Sequence, residues 1–148
     1  MNLVNHIHPL GSEVVAIAGP EHNSWTADLC SGYFVGEVDC RFYGSRRIIL
    51  LSDFTFVDST GHRWFAPRGS VCDGSSIPWL IQRWMGSPLV GLHRFASVVH
   101  DVACVEKKMP STLVHKMYRD ACRAAGESKA WALYQGVRFG GPKFTGII

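Results

Sequence analysis

The sequence predicts an α+β domain: an N-terminal antiparallel β meander followed by a C-terminal bundle of three to four helices. Three observations carry that prediction. Short alternating apolar runs broken by glycine and polar turns extend to Ala66, apolar residues at helical spacing occupy most of the chain from Leu89, and the strand-like runs all precede the long helical ones. A chain of 148 residues, 47% of them hydrophobic, is also long enough to bury one core.

The opening residues to Pro9 read as an arm or edge segment, and Glu13 to Ala18 as a short β run closed by Gly19-Pro20. The β pattern strengthens over Tyr33 to Cys40, Ile48 to Leu51 and Phe54 to Val57. Asp58-Ser59-Thr60-Gly61 is then a turn, and His62 to Ala66 the returning strand. Phe54 and Phe56 alternate with Thr55, which predicts one buried and one wet face. Pro67-Arg68-Gly69 ends the sheet and leads into Asp73-Gly74-Ser75-Ser76-Ile77-Pro78. There glycine frees the backbone, Asp73, Ser75 and Ser76 can bind nearby amides, and Ser76 can cap a short helix over Pro78 to Met85.

After the break at Gly86-Ser87-Pro88, a central helix runs from about Leu89 or Gly91 to Val105. Its stretch Phe95 to Cys104 carries His100 and Asp101 among apolar residues, with His100 and Cys104 on the side shared by Ser97 and His93. A buried imidazole and carboxylate must find partners or change their protonation. Lys107 to Pro110 turns the chain, and Ser111 can cap a helix reaching about Ala125 and ended by Gly126. On that helix Val114, Met117 or Tyr118, Ala121 and Ala125 form the core strip, with Asp120 on an adjacent strip. A last helix, about Lys129 to Phe139, carries Trp131, Tyr134 and Val137.

Five widely spaced cysteines without a Cys-x-x-Cys pair argue against a disulfide framework. His100 and Cys104 with His115 and Cys122 of the next helix have metal-ligand residue types, although buried free cysteine more often serves as a small hydrophobe. No apolar run is long enough for a transmembrane span, and the first ten residues lack the Lys or Arg of a signal peptide. Residues 1–40 hold five acids and no Lys or Arg, while the remaining 108 hold all 15 bases against 7 acids. Such a split lets the acidic part lie on the basic remainder or on a neighbouring copy. The doublets Arg46-Arg47 and Lys107-Lys108 stand alone, so there is no strong nucleic-acid signal.

The run from Tyr33 to Phe144 resembles the phage and prophage family called domain of unknown function 1353. The resemblance rests on Phe54 to Asp58 with Gly61, Ala66-Pro67-x-Gly69, Asp73 to Pro78, His100-Asp101, Asp120, and Val137-Arg138-Phe139-Gly140. It implies a phage or prophage origin, a place in the virion or the host cytoplasm, and a division into an extension (1–32) and a single globular domain (33–148). The site is also similar to secretory phospholipase A(2), where a Gly-rich loop precedes a His-Asp helix and a second aspartate follows. That similarity implies His100 as general base, Asp120 orienting it, Asp73, Gly74, Ser75 and Ser76 as binding loop, and Asp101 with Asp73 holding calcium. Cys104 stands where that family has tyrosine.

Three functions follow as expectations. The chain is a non-catalytic virion component of tail, baseplate or neck that docks on other phage structural proteins or on copies of itself, with His100 and Asp101 in a buried network. Alternatively it is an ester hydrolase using His100, or a phage inhibitor of a host protein. A catalyst needs an open cleft over His100 with Asp120 in hydrogen-bond reach, whereas a structural network is sealed.

Overall fold

A computed structural model describes residues 3–7, 13–17, 23–44, 47–73 and 91–146. The described strands are β1 (Leu3–Ile7), β2 (Glu13–Ile17), β3 (Ser24–Thr26), β4 (Gly32–Val35), β5 (Cys40–Tyr43), β6 (Arg47–Leu50), β7 (Phe54–Asp58), β8 (Arg63–Ala66) and β9 (Val71–Cys72); β3 and β9 lie outside the expected runs, and β5 begins where the run from Tyr33 ends. Helices α1 (Arg94–Glu106), α2 (Ser111–Ala124) and α3 (Ala130–Gly140) follow, so strands precede helices as expected of an α+β chain. The helix expected over Pro78 to Met85, with its Ser76 cap, lies outside the described residues.

The strands do not make one continuous meander. They form two antiparallel sheets, ordered β1-β2-β3-β4-β7-β8 and β5-β6-β9. The chain leaves the larger sheet just after Val35, at Gly36, whose φ of +91° turns the backbone out of the ladder. The β5–β6 hairpin is thereby set aside to pair with β9, and β7 returns beside β4 with Phe34 opposite Phe56. Residues 1–32, expected as an extension, supply β1 to β3, and Trp25 of β3 pairs with Phe34 of β4. The extension is therefore continuous with the domain's own sheet.

No wet face lies opposite Phe54 and Phe56, because Thr55 and Val57 are buried as well and β7 is an interior strand. Phe34 stacks on Trp25 at 4.5 Å and on Phe54 at 5.3 Å, and Phe95 of α1 meets the Trp25 ring edge-on at 4.8 Å. These contacts dock the first turn of α1 on the sheet. Every residue of α1 from Phe95 to Val102 is buried, which overrides the weak helix propensity of its valines. The Asp58 carboxylate closes the β7–β8 turn, accepting from the Thr60 hydroxyl, from the Thr60 and His62 amides and from Trp64 Nε1 at 2.9 Å. Burial raises its pKa, but those hydrogen bonds outweigh the burial and hold it below the usual value.

The helix α2 buries Val114, Met117, Tyr118 and Ala121 as its spacing predicts. It stops where Gly126 takes φ +87° and Glu127 N–H returns to the Cys122 carbonyl at 2.9 Å. Ser111 does not cap it: Pro110 holds that position, and the Ser111 hydroxyl accepts from Phe144 N–H at 3.2 Å, pinning the tail. In α3 the buried strip is Ala130, Leu133 and Val137, which turns Trp131 outward and leaves it 62% exposed.

Gly32 opens β4 with φ +131°, and a Cβ there would lie 2.4 Å from the Val57 carbonyl oxygen and 2.7 Å from the Phe56 ring. Gly32→Ala is expected to destabilise the fold by about 2–4 kcal/mol, from backbone strain and displacement of the ring. Gly61→Ala, whose Cβ meets nothing within 4 Å, is expected to cost less than half as much. Urea denaturation of the two variants side by side checks the difference.

Candidate functional site

The central helix brings His100 to the interface between α1 and α2, where its side chain has no solvent-exposed area. Nε2 of His100 lies 2.9 Å from Nδ1 of His115, and Nε2 of His115 lies 2.9 Å from the Pro142 carbonyl oxygen. A carbonyl can only accept, so His115 carries its proton on Nε2 and its Nδ1 is the bare acceptor. His100 must then donate from Nε2, leaving its own Nδ1 as an acceptor. The thiol of Cys104, one turn on, stands 3.9 Å from that nitrogen and 3.7 Å from Nε2. The Tyr118 ring covers His100 at 4.8 Å between centroids.

One set of neutral tautomers thus accounts for the whole relay, and the electrostatics favour it. Burial first, and then the neighbouring His115, push the pKa of His100 down from 6.5 to about 3. For His115, burial lowers the value, the bond to Pro142 offsets part of that, and the positive charge of Lys143 lowers it again. Burial also raises the Cys122 thiol and the Tyr118 hydroxyl well above their ordinary values, so both stay protonated and neutral.

Asp120 does not join His100. At 100° per residue it lies 140° around α2 from His115, and its Oδ1 is taken by Nε and Nη2 of Arg119, both at 3.2 Å. Asp101 is buried as expected, but its Oδ2 accepts from the backbone N–H of Asp73 at 3.1 Å, a tie between α1 and the end of β9. Gly74, Ser75 and Ser76 of the expected binding loop lie outside the described residues.

Among the described residues no group of three or more His, Cys, Asp or Glu is arranged to hold a metal. Two histidine nitrogens on one tetrahedral ion stand about 3.3 Å apart, whereas His100 and His115 are within hydrogen-bond distance of each other. Cys30 and Cys40 are exposed and Cys72, Cys104 and Cys122 buried, all as free thiols.

His115, grouped with His100 in the sequence only by metal-ligand residue type, is its direct hydrogen-bond partner. Its cue was its place between Val114 and Tyr118, beside the apolar strip of an amphipathic helix. The third member, the Pro142 carbonyl, is a backbone group and leaves no sequence signal.

Two outcomes test the relay. His100→Leu and His115→Leu are each expected to cost roughly 2–4 kcal/mol, because each strands a buried nitrogen of the other ring. The double variant is expected to cost about 1–2 kcal/mol less than the sum, measured by a double-mutant cycle in urea. The folded pKa of His100 is depressed, so its contribution to stability is complete above about pH 6.5 and is lost as pH falls toward 3. Over that window the unfolding equilibrium constant rises by up to about tenfold per pH unit for each such histidine, and His100→Leu should flatten the slope by one proton.

A family model described as "Protein of unknown function (DUF1353)" matches residues 48–137, more than half of the chain and a span that includes His100, Cys104, His115 and Asp120. The uncharacterized protein y4jT of Sinorhizobium fredii is 38% identical over 98 residues, 65% of this chain and 29% of the relative. The uncharacterized protein y4iH of the same organism is 33% identical over 102 residues, 68% of this chain and 43% of the relative. The chain therefore spans less than half the length of these curated relatives. No solved structure gives a significant match. The match over residues 48–137 makes this chain a member of the DUF1353 family.

Proposed function

We propose that this chain is a non-catalytic building block that works by docking on other proteins, as a tail, baseplate or neck component of a phage or prophage particle. The observation that supports this reading is the sealed histidine relay. His100 has no exposed area, and its depressed pKa keeps it neutral. A general base needs its proton-accepting nitrogen next to water or substrate and benefits from a carboxylate on the other nitrogen. Here the nitrogen left to accept a proton, Nδ1, lies on the side of the Cys104 thiol in a ring with no exposed area, and the carboxylate expected to orient the ring is held by Arg119. A satisfied buried network of this kind joins elements in one arrangement without chemistry. In this domain it joins α1, α2 and the chain after α3, in a molecule none of whose described helices is long and apolar enough to cross a membrane. The virion assignment comes from the family resemblance at the sequence level.

Two measurements test the reading. Purified protein, with and without calcium, is expected to hydrolyse neither phospholipid vesicles nor chromogenic esters above the background of His100→Ala. Turnover lost in that variant with folding retained would overturn the non-catalytic assignment. Mass spectrometry of particles purified after induction of the cognate prophage is expected to find the chain in fixed ratio to the major structural proteins, and its absence from those particles would remove the virion assignment.

A further inference from the structure

The outer surface of α2 and α3 is not the solvated polar face that the last helices of a small domain usually present. Trp131 and Phe139 are 62% and 73% exposed, and Leu113 is exposed as well. Cations are interleaved with these side chains. The Arg119 guanidinium lies 5.2 Å over Tyr134, where the middle of α2 meets the middle of α3, and the Arg138 guanidinium lies 5.2 Å from the Phe139 ring centroid. Lys116 and Arg123 are exposed on α2. From residue 107 onward the sequence holds eight Lys and Arg against two acids, and one of those two, Asp120, is already occupied by Arg119. Among the described residues no carboxylate pairs with Lys116, Arg123 or Arg138.

The complementary surface is in the same chain. Residues 1–40 carry five acids and no Lys or Arg. Within the described part, Glu37 and Asp39 are exposed on the bend that leads into β5, an edge strand of the smaller sheet. Phe42 of β5, three residues past Asp39, is 77% exposed, with Arg41 exposed beside it in the chain. The molecule thus displays an acidic bend leading into an exposed aromatic side chain and a basic helical surface with aromatic ones. Carboxylates on the one are complementary to cations on the other, and both offer exposed rings.

We infer that the acidic bend at Glu37 and Asp39 of one copy docks on the basic aromatic face of α2 and α3 of another copy. The exposed aromatic and aliphatic side chains form the dry centre of the contact and the charges its rim. This rests on the reading of the chain as a docking block and names its partner as a second copy of itself.

Sedimentation velocity over a concentration series, at low and at high salt, tests the inference with two full-length variants. Trp131→Ala with Arg138→Glu alters the basic face; Glu37→Lys with Asp39→Lys alters the acidic bend. All four positions are exposed, and circular dichroism checks that both proteins fold. The wild type is expected to self-associate, less strongly at high salt, and each variant to weaken association by about tenfold or more. Mixing the two variants is expected to restore a complex, because each retains the surface that the other has lost. A wild type that stays monomeric, or a mixture that forms no complex, would overturn the inference. So would a monomer that binds anionic vesicles or single-stranded polynucleotide through Trp131 and Arg138 instead of a second copy. A monomer without turnover would sink only the self-association, whereas turnover abolished by His100→Ala would sink the docking-block reading whatever the sedimentation shows.

Discussion

The exclusion of water from around α1 is the constraint on which the rest of the structure depends. A helix buried along nearly its whole circumference can carry polar side chains only if the protein supplies every hydrogen bond that water would have made. On one side the demand does not arise, because Phe95 enters the aromatic cluster of Trp25, Phe34 and Phe54. On the other, His100 and Asp101 need partners, and their partners lie in separate parts of the chain: His115 on α2 and the backbone of Asp73 at the end of β9. Two adjacent residues therefore tie α1 to a helix and to a sheet at once. The carbonyl of Pro142 extends the tie to the segment that follows α3.

The direction of the hydrogen bonds matters as much as their lengths. Since Pro142 offers only an acceptor, the proton positions on both rings are settled from that end inward. A proton added at Nδ1 of His115 would set two donors against each other, and burial disfavours the charge on either ring. The relay is thus built to keep both imidazoles neutral. That character separates it from a catalytic dyad, in which a carboxylate stabilises the cation formed when the ring takes up a proton. Arg119 reinforces the distinction by engaging Asp120 on another face of α2.

Electrostatics outside the core is organised differently. Inside, the imidazoles are held neutral, whereas the surface keeps its charges separated along the chain, acidic before residue 41 and basic after residue 106. Charges left unneutralised beside exposed Trp131, Phe139 and Phe42 cost little in a solvated monomer but gain attraction when two surfaces meet.

Much of this was legible in the amino-acid sequence. Period-2 runs, period-3.6 runs and the Gly126 stop all report local physics, and they located most of the strands, all three described helices and the polar pair on α1. The sequence also marked His100 and Asp101 as groups needing partners, since a charge or an imidazole among valines has few alternatives. It grouped Asp101 with Asp73 and His100 with His115 only as metal ligands, and named Asp120 as the residue that orients His100. Asp120 and His115 share one helix, and which of them meets His100 depends on a rotation of 140° set by how α2 packs. The split into two sheets turned on the bend at Gly36, and the outward Trp131 on the choice of Ala130, Leu133 and Val137 as the buried strip of α3. Local spacing determines which groups must be satisfied; only the packing of distant elements, whose rotation and register carry no local signature, decides what satisfies them.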